Sequence, residues 1–162
     1  MPKTAIDLQA LIQKCTQKGI TVSTAESCTG GLIAKLLTDV AGSSSVFHGA
    51  CVTYTNEIKQ LLLGVDPKII ERDTEVSHAC ARAMAEGVRN KLGTTLAVST
   101  TGFAGPTGGT PEDPVGTVYL AISSPQGTFS ERFSVPSHHT REEIRSAAAQ
   151  RALALLEQYV NQ

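Results

Sequence analysis

The stretch AESCTGG, residues 25–31, places three side chains with nucleophilic atoms next to one another. The hydroxyls of Ser27 and Thr29 and the thiol of Cys28 could each attack an electrophilic carbon. The glycines that follow, Gly30 and Gly31, would let a ligand come close to the backbone. The stretch lies between an apolar segment and a helical pattern, which predicts a strand-to-helix turn. Free N–H groups at such a turn favour an anion or a developing oxyanion.

The pattern leaves the role of this turn open. Ser27 could attack a carbonyl group, or its hydroxyl could simply cap the following helix. Cys28 is the more nucleophilic atom type, but in the first turn of a helix its side chain can point into the core. Thr29 fits a cap or a ligand contact better than a nucleophile. The stretch matches neither GxSxG nor the phosphate-binding patterns GxxxxGK[ST] and GxGxxG.

A serine nucleophile needs a base, and the sequence offers two kinds. The four histidines stand beside no recognisable carboxylate motif, so a Ser–His–Asp triad is an unsupported alternative. The segment YTNEIK places Tyr54 near a strand end and Lys59 on the first turn of the next helix. A lysine shielded from water can lose its proton near neutrality and act as a base, with a tyrosine to orient it. An ordinary surface lysine beside a half-buried tyrosine is the competing interpretation.

A second segment rich in glycine covers residues 102–116. This loop and the Gly30–Gly31 pair together hold seven of the fourteen glycines of the chain. Clustered glycine costs conformational entropy unless the backbone must bend sharply or meet a ligand. A connection of about 15 residues in a compact domain is more often functional than not. We therefore expect the loop to border a ligand site, with an ordinary long connection as the alternative.

The elements that must position these residues alternate between helices and strands. Helical spacing and end signals predict six helices. The first runs from a Thr4/Asp7 cap to Gly19, the second covers about residues 29–40, the third covers 56–63 with a stop at Gly64, and the fourth follows Asp66-Pro67. The fifth covers 77–92 with a cap at Ser77 and a stop at Gly93, and the last runs from a Thr140/Glu143 capping box through Ile144, Ala148, Ala152, Leu155 and Tyr159. Apolar and alternating runs predict strands over 20–25, from residue 46 to near Tyr54, over 94–100, and over 117–124 and 128–135. This order predicts an α/β fold: a three-layer α/β/α domain over 1–162, with a mixed sheet and a late antiparallel hairpin. Ligands in such sheets usually lie beyond the carboxyl ends of strands, where the quoted segments fall.

Composition excludes several classes of protein. The net charge is −1 with no basic run, so nucleic-acid binding has little electrostatic support. The apolar runs are too short for a membrane span, and the first residues lack the apolar stretch of a signal peptide, which predicts a cytoplasmic protein without membrane association. The cysteines form no CxxC pair, which argues against a zinc site or a disulfide framework. Cys15, Cys51 and Cys80 fall in apolar patterns and are predicted core residues.

Four ordered motifs, AESCTGG, VTYTNEIK, STTGFAGPTGG and PVGTVY, resemble the CinA C-terminal domain family over about residues 5–160. Standalone members of that family are nicotinamide-nucleotide amidohydrolases. The resemblance implies hydrolysis of the carboxamide of nicotinamide mononucleotide (NMN) to nicotinate mononucleotide and ammonia, with no metal or organic cofactor. It also implies a homo-oligomer. A non-catalytic nucleotide-binding module and an amidase of broader specificity are the alternatives.

The resemblance also implies roles for individual residues. Ser27 corresponds to the nucleophile, and Tyr54 and Lys59 correspond to the groups that activate it. The residues expected to contact substrate are Cys28, Thr29, Gly30, Gly31, Asn56, Thr101, Gly102, Gly105 and Arg145. The phosphate of the nucleotide needs an anchor of its own, for which the glycine-rich loop and Arg145 are candidates.

Overall fold

Side-chain caps and glycines set the ends of the helices. The computed structural model describes residues 5–162, so the predicted cap at Thr4 lies outside the described residues. Helix α1 (Leu8–Lys18) begins after Asp7, whose carboxylate accepts a hydrogen bond from the backbone N–H of Ala10 at 3.0 Å. It ends at Gly19, which adopts a left-handed φ of +66°. A helix that ends at a left-handed glycine is the arrangement that the sequence predicts here.

The remaining elements follow the predicted order. The other helices are α2 (Leu32–Thr38), α3 (Asn56–Leu63), α4 (Pro67–Asp73), α5 (His78–Leu92) and α6 (Arg141–Val160), and a short 3-10 turn covers Ser43–Ser45. The strands are β1 (Val22–Glu26), β2 (Phe47–Val52), β3 (Leu96–Gly102), β4 (Thr117–Ser124) and β5 (Gly127–Ser134). The predicted stops at Gly64 and Gly93 and the capping box of Thr140 with Glu143 are confirmed.

The strands form one mixed sheet in the order β2-β1-β3-β4-β5. Strand β1 runs parallel to β2 and β3, whereas β4 is antiparallel to both β3 and β5. The antiparallel pair β4–β5 is the predicted late hairpin. Because β1, β2 and β3 point the same way, their carboxyl ends meet at one edge of the sheet, which is where ligands bind in such folds.

Helices cover both faces of the sheet, which confirms the three-layer arrangement. Helices α1, α2 and α6 pack on one face against the larger strand residues, such as Val98 and Leu120. Helix α5, with Leu63 of α3 and the partly buried isoleucines of α4, packs on the other face, where the strand residues are small, such as Ala97 and Ala121. The small side chains allow close approach: the Ser99 hydroxyl donates a hydrogen bond to the Ala81 carbonyl of α5 at 2.6 Å. Within residues 5–162, no helix is at once long and apolar enough to cross a membrane.

Several predicted boundaries are wrong by a few residues near the quoted turn. Helix α2 begins at Leu32 and not near residue 29, because Gly30 and Gly31 adopt left-handed φ values of +60° and +99° that interrupt a helix. Strand β1 extends to Glu26, and β2 ends at Val52, two residues before Tyr54. Cys15 and Cys80 are buried as predicted, but Cys51 is only half-buried because it lies on an edge strand.

Helix α3 is held against α5 by a close contact at Gly87. A Cβ atom added to Gly87 would lie 2.2 Å from the carbonyl oxygen of Leu63, a distance that real Cβ atoms do not tolerate. Glycine therefore lets the end of α3 approach α5 more closely than any other residue would. Since α3 also carries Lys59, this contact helps to set the position of that lysine.

We expect Gly87→Ala to lower the free energy of unfolding by about 1–3 kcal/mol, because overpacking outweighs the better helix propensity of alanine. Urea denaturation followed by circular dichroism measures the change. The matched control is Glu86→Ala, an exposed neighbour on the same helix, which should stay within about 0.5 kcal/mol of the unmodified protein. Equal stability of the two variants would contradict the contact.

Candidate active site

The carboxyl ends of the three parallel strands surround a pocket of about 220 Å³, here called the Ser27 pocket. Its wall combines the turn after β1, the segment from β2 into α3, the residues before α5, the end of β3 with the glycine-rich loop, and one arginine of α6. The lining residues are Ser27, Cys28, Tyr54, Asn56, Lys59, Glu75, Val76, Thr101, Gly102, Phe103, Ala104, Gly105, Thr107 and Arg141.

The pocket brings a serine hydroxyl and a buried lysine into contact. The Nζ atom of Lys59 donates hydrogen bonds to the Ser27 Oγ atom at 3.1 Å and to the Thr53 carbonyl oxygen at 3.0 Å. Lys59 is only 1% exposed. Burial lowers the pKa of Lys59 because removal from water disfavours the charged form, and this outweighs the opposing effect of nearby acidic groups such as Glu75. A lysine in this setting can accept the proton of the hydroxyl that it contacts.

The turn that carries Ser27 is fixed by a buried carboxylate. Glu26 is fully buried, and its two oxygens accept four hydrogen bonds, from two threonine hydroxyls and from two backbone N–H groups of α2. The four donors are Thr29 Oγ1 at 2.8 Å, Ile33 N at 2.9 Å, Thr24 Oγ1 at 3.0 Å and Ala34 N at 3.0 Å. The cap of α2 is therefore this carboxylate, and the alternative that Ser27 caps the helix is wrong. The Ser27 hydroxyl is therefore available to accept the hydrogen bond from Lys59.

The backbone of the turn supplies free N–H groups next to Ser27. The N–H of Gly30 donates to the Ser27 carbonyl oxygen at 3.0 Å. Those of Cys28 and Thr29 donate to no protein oxygen among residues 5–162. Backbone donors of this kind, adjacent to a nucleophile, are the groups that can stabilise an oxyanion.

The other candidate nucleophile and the alternative bases are less well placed. Burial raises the pKa of the Cys28 thiol to about 11, so this group stays protonated near neutral pH and is a poor nucleophile. None of the four histidines lines the Ser27 pocket. A Ser–His–Asp arrangement is therefore absent from the described residues around Ser27, and Lys59 is the base that contacts the hydroxyl.

Tyr54 lies in the pocket wall but does not contact Ser27 or Lys59 through its hydroxyl. That oxygen accepts a hydrogen bond from the NH2 group of Arg141 at 2.7 Å, and the NH1 group of Arg141 donates to the Gly105 carbonyl oxygen at 2.6 Å. Arg141, the first residue of α6, thus links Tyr54 to the glycine-rich loop. Among residues 5–162, no three His, Cys, Asp or Glu side chains are grouped so that they could hold a metal ion.

Comparison with known protein families agrees with this fold. The profile described as the CinA C-terminal domain matches residues 6–160. This chain belongs to the CinA C-terminal domain family. A CinA-like protein of Myxococcus xanthus is 50% identical over 151 residues, which cover 93% of this chain and 35% of the relative. A putative competence-damage inducible protein of Symbiobacterium thermophilum is 45% identical over 161 residues, which cover 94% of this chain and 37% of the relative. The chain therefore spans about a third of the length of these curated relatives.

Solved structures confirm the α/β architecture of the CinA domain. The competence/damage inducible protein CihA from Agrobacterium tumefaciens is 40% identical with a TM-score of 0.88, and each chain is covered over 100% of its length. A CinA superfamily protein from Klebsiella pneumoniae is 28% identical with a TM-score of 0.90, and each chain is covered over 95%.

Most of the predicted site residues of this CinA domain lie in the pocket wall. Those that line it are Ser27, Cys28, Tyr54, Asn56, Lys59, Thr101, Gly102 and Gly105. Close packing explains why residue 102 is a glycine. A Cβ atom at Gly102 would lie 2.5 Å from the Thr117 carbonyl oxygen, so only glycine fits there.

The other four predicted residues lie in or beneath the turn and not in the pocket wall. Thr29 and the Gly30–Gly31 pair shape the turn itself. Arg145 donates from Nε to the Cys28 carbonyl oxygen at 3.0 Å and from NH2 to that of Thr29 at 3.2 Å. A Cβ atom at Gly30 would lie 2.8 Å from the same guanidinium group. Arg145 therefore supports the turn, and its contact with substrate stays a prediction.

The sequence interpretation missed three charged residues in and beside the Ser27 pocket. Glu26 had a local signal, since an acidic residue that ends a buried strand must find hydrogen-bond donors. Arg141 and Glu75 had none: each looks like an ordinary charged residue beside a helix start, and only the folded chain brings it to the Ser27 pocket.

We expect Glu26→Gln to lower the free energy of unfolding by about 2–4 kcal/mol, because one carboxylate oxygen becomes an NH₂ group that faces two donors without an acceptor. Thermal and urea denaturation measure the loss. The control is Glu86→Gln, the same change at an exposed helix position, which should leave the free energy of unfolding unchanged within about 0.5 kcal/mol. A Glu26→Gln protein as stable as this control would show that the four hydrogen bonds matter little.

Proposed function

We propose that this CinA domain is a nicotinamide-nucleotide amidohydrolase that converts NMN and water to nicotinate mononucleotide and ammonia. The observation that carries the proposal is the hydrogen bond between the Ser27 hydroxyl and buried Lys59, both of which line a pocket of about 220 Å³. The ordered motifs shared with standalone CinA-type deamidases support the choice of substrate. The proposal concerns this domain and not the longer relatives.

In the proposed reaction, neutral Lys59 takes the proton of Ser27 as the serine Oγ atom attacks the carboxamide carbon. The N–H groups of Cys28 and Thr29 are the nearest candidates to hold the negative oxygen of the tetrahedral intermediate. Protonated Lys59 then gives its proton to the departing nitrogen, and ammonia leaves behind an acyl-enzyme ester. Water, deprotonated by Lys59, hydrolyses that ester and restores the serine. The cationic pyridinium ring withdraws electrons from the carboxamide and assists both attacks.

Tyr54 and Arg141 take roles in binding in this scheme. Since the Tyr54 hydroxyl accepts a hydrogen bond from Arg141, we assign Tyr54 to the pocket wall and the proton transfer to Lys59 alone. Arg141 also borders a larger cleft of about 800 Å³, the loop cleft, lined by Pro106, Gly108, Gly109, Thr110, Pro111, Pro114, Val115, Ser137, His138, His139, Thr140 and Arg141. The Ser27 pocket suits a pyridine ring, and the loop cleft offers room for the ribose phosphate. Arg141 is therefore a better candidate than Arg145 for the phosphate anchor.

Two alternatives differ from this proposal in one property each. A non-catalytic nucleotide-binding module would bind NMN without releasing ammonia, but binding alone gives no reason to bury a lysine against a serine hydroxyl. An amidase of broader specificity would hydrolyse free nicotinamide as readily as NMN. From the short apolar runs of the sequence we also propose that the protein is cytoplasmic, and by resemblance to the family that it is a homo-oligomer that needs no metal or organic cofactor.

We expect chelator-treated protein to release ammonia from NMN, and Ser27→Ala and Lys59→Ala each to lower kcat/KM by at least about 10³-fold. A coupled ammonia assay with purified proteins measures this. Ser44→Ala is the matched control and should keep full activity, because Ser44 is exposed and precedes β2, at the opposite end of that strand from the pocket. Saturable binding of NMN without ammonia from the unmodified protein would favour the non-catalytic module.

The lowered pKa of Lys59 sets the direction of the pH dependence. Below that pKa the lysine is protonated and cannot accept the serine proton, so kcat/KM should fall as the pH is lowered through a value below the ordinary 10.5. Rate measurements between about pH 6 and pH 10 would locate this limb. Lys59→Arg, which stays cationic throughout, should be inactive at every pH. An activity that rises towards acid would exclude neutral Lys59 as the base.

A further inference from the structure

The Ser27 pocket contains a carboxylic acid that the proposed reaction does not use. Of the described residues that line the pocket, Glu75 is the only acidic one, and it is half-buried. Its negative charge raises the pKa of Lys59 and of Cys80. Glu75 and Lys59 line the same pocket of about 220 Å³, so the carboxylate belongs to the surroundings of the base of the proposed reaction.

The backbone that presents Glu75 is fixed in an uncommon conformation. The preceding residue, Thr74, has φ +66° and ψ 172°, a region that is almost exclusive to glycine and strained for other residues. The hydroxyl of Thr101 donates to the Glu75 carbonyl oxygen at 2.7 Å, and the hydroxyl of Ser77 donates to that of Thr74 at 2.9 Å. Hydrogen bonds to the end of β3 and to the start of α5 thus hold this segment in place.

The Glu75 carboxylate has no hydrogen-bond or ion-pair partner between residues 5 and 162. The two basic side chains of the pocket make their hydrogen bonds elsewhere. Lys59 donates to Ser27 and Thr53, and Arg141 donates to Tyr54 and Gly105. A partly buried carboxylate without a partner gains most from a ligand that brings a positive charge to it.

We propose that Glu75 is a specificity-determining residue that selects a cationic ring, so that the Ser27 pocket prefers N-substituted pyridinium carboxamides to uncharged carboxamides of the same shape. This inference rests on the proposed function, which places the carboxamide at Ser27 and the ring within the same small pocket. The positive charge of the ring distinguishes an N-ribosylated pyridinium from a free pyridine and from a dihydropyridine. Because the charge is present before the reaction begins, the effect of Glu75 falls on binding and on KM.

The test compares two ligands that differ in ring charge: NMN and its reduced, uncharged dihydro form. Calorimetric titration in a Ser27→Ala background prevents consumption of NMN. We expect the Ser27→Ala protein to bind NMN more tightly than the reduced form. Adding Glu75→Gln should weaken NMN binding about tenfold and leave binding of the reduced form unchanged, whereas Glu75→Asp should keep part of the preference.

The matched control is Glu57→Gln, which removes an exposed acid from α3. Glu57 also raises the pKa of Lys59 but does not line the pocket, so this variant should keep the preference for the cation. Equal affinity of the Ser27→Ala protein for NMN and for its reduced form would overturn the proposal. The same holds if the ratio of these two affinities is unchanged when Glu75→Gln is added, or if neither ligand binds.

Ammonia release by protein with intact Ser27 separates this inference from the proposed function. A preference for the cation that depends on Glu75, without any ammonia, would support the role of Glu75 and refute the amidohydrolase. Ammonia release, together with an unchanged ratio of the affinities for NMN and its reduced form in Glu75→Gln, would support the amidohydrolase and refute the role of Glu75. Because Glu75 raises the pKa of Lys59, the kinetics are compared at a pH high enough to keep Lys59 neutral in both proteins. The KM for NMN should then rise in Glu75→Gln with little change in kcat, a split that a general loss of structure would not produce.

Discussion

The buried carboxylate of Glu26 is the constraint on which the rest of the site depends. It ends β1 and accepts hydrogen bonds from the first N–H groups of α2, so a single side chain joins the strand to the helix on the far side of the turn. Ser27 follows it directly. With the cap supplied by Glu26, the serine hydroxyl is free for Lys59, and the N–H groups of the turn are free for a ligand. A negative charge at the start of α2 also agrees with the direction of the helix dipole.

Whereas the buried carboxylate of Glu26 needs hydrogen-bond donors, the buried amine of Lys59 needs acceptors. Burying this amine costs stability unless it loses its charge or its N–H groups find acceptors. The fold meets this with two oxygens, the Ser27 hydroxyl and the Thr53 carbonyl. The contact of Gly87 with the end of α3 holds the helix that carries the lysine close to α5. The hydroxyl of Thr53 is buried without a hydrogen-bond partner among the described residues. Two contacts therefore bring serine and lysine together: the hydrogen bonds of Glu26 position the turn that carries Ser27, and the contact at Gly87 positions the helix that carries Lys59.

The elements were predictable because their signals are local. Helix ends at Gly64 and Gly93, the Ser77 cap and the Thr140 capping box each depend on a few neighbouring residues, and the alternation of helices and strands then limits the fold to a layered sheet. The start of α2 was predicted too early because the left-handed glycines of the turn act against a pattern that looks helical. Pattern alone could not distinguish Lys59 from a surface lysine, and only the resemblance paired it with Ser27. Arg141 and Glu75 could not be predicted at all, because their place in the pocket depends on packing between elements distant in sequence.

The charged groups around the Ser27 pocket and the loop cleft match those of the proposed substrate. Next to Ser27 the site has a lysine that burial biases towards neutrality, which does not repel a cationic ring as an ammonium group would. Glu75 adds a negative charge in the same pocket. Arg141 stands where the Ser27 pocket meets the loop cleft, and His138 and His139 lie in that cleft beyond it. A ligand with a carboxamide, a positive ring and a phosphate would find a base, an acid and a cation around the two pockets that share Arg141. A neutral amide would gain nothing from the acid, and an amide without a phosphate would gain nothing from the cation, so this set of groups favours a pyridinium nucleotide over either.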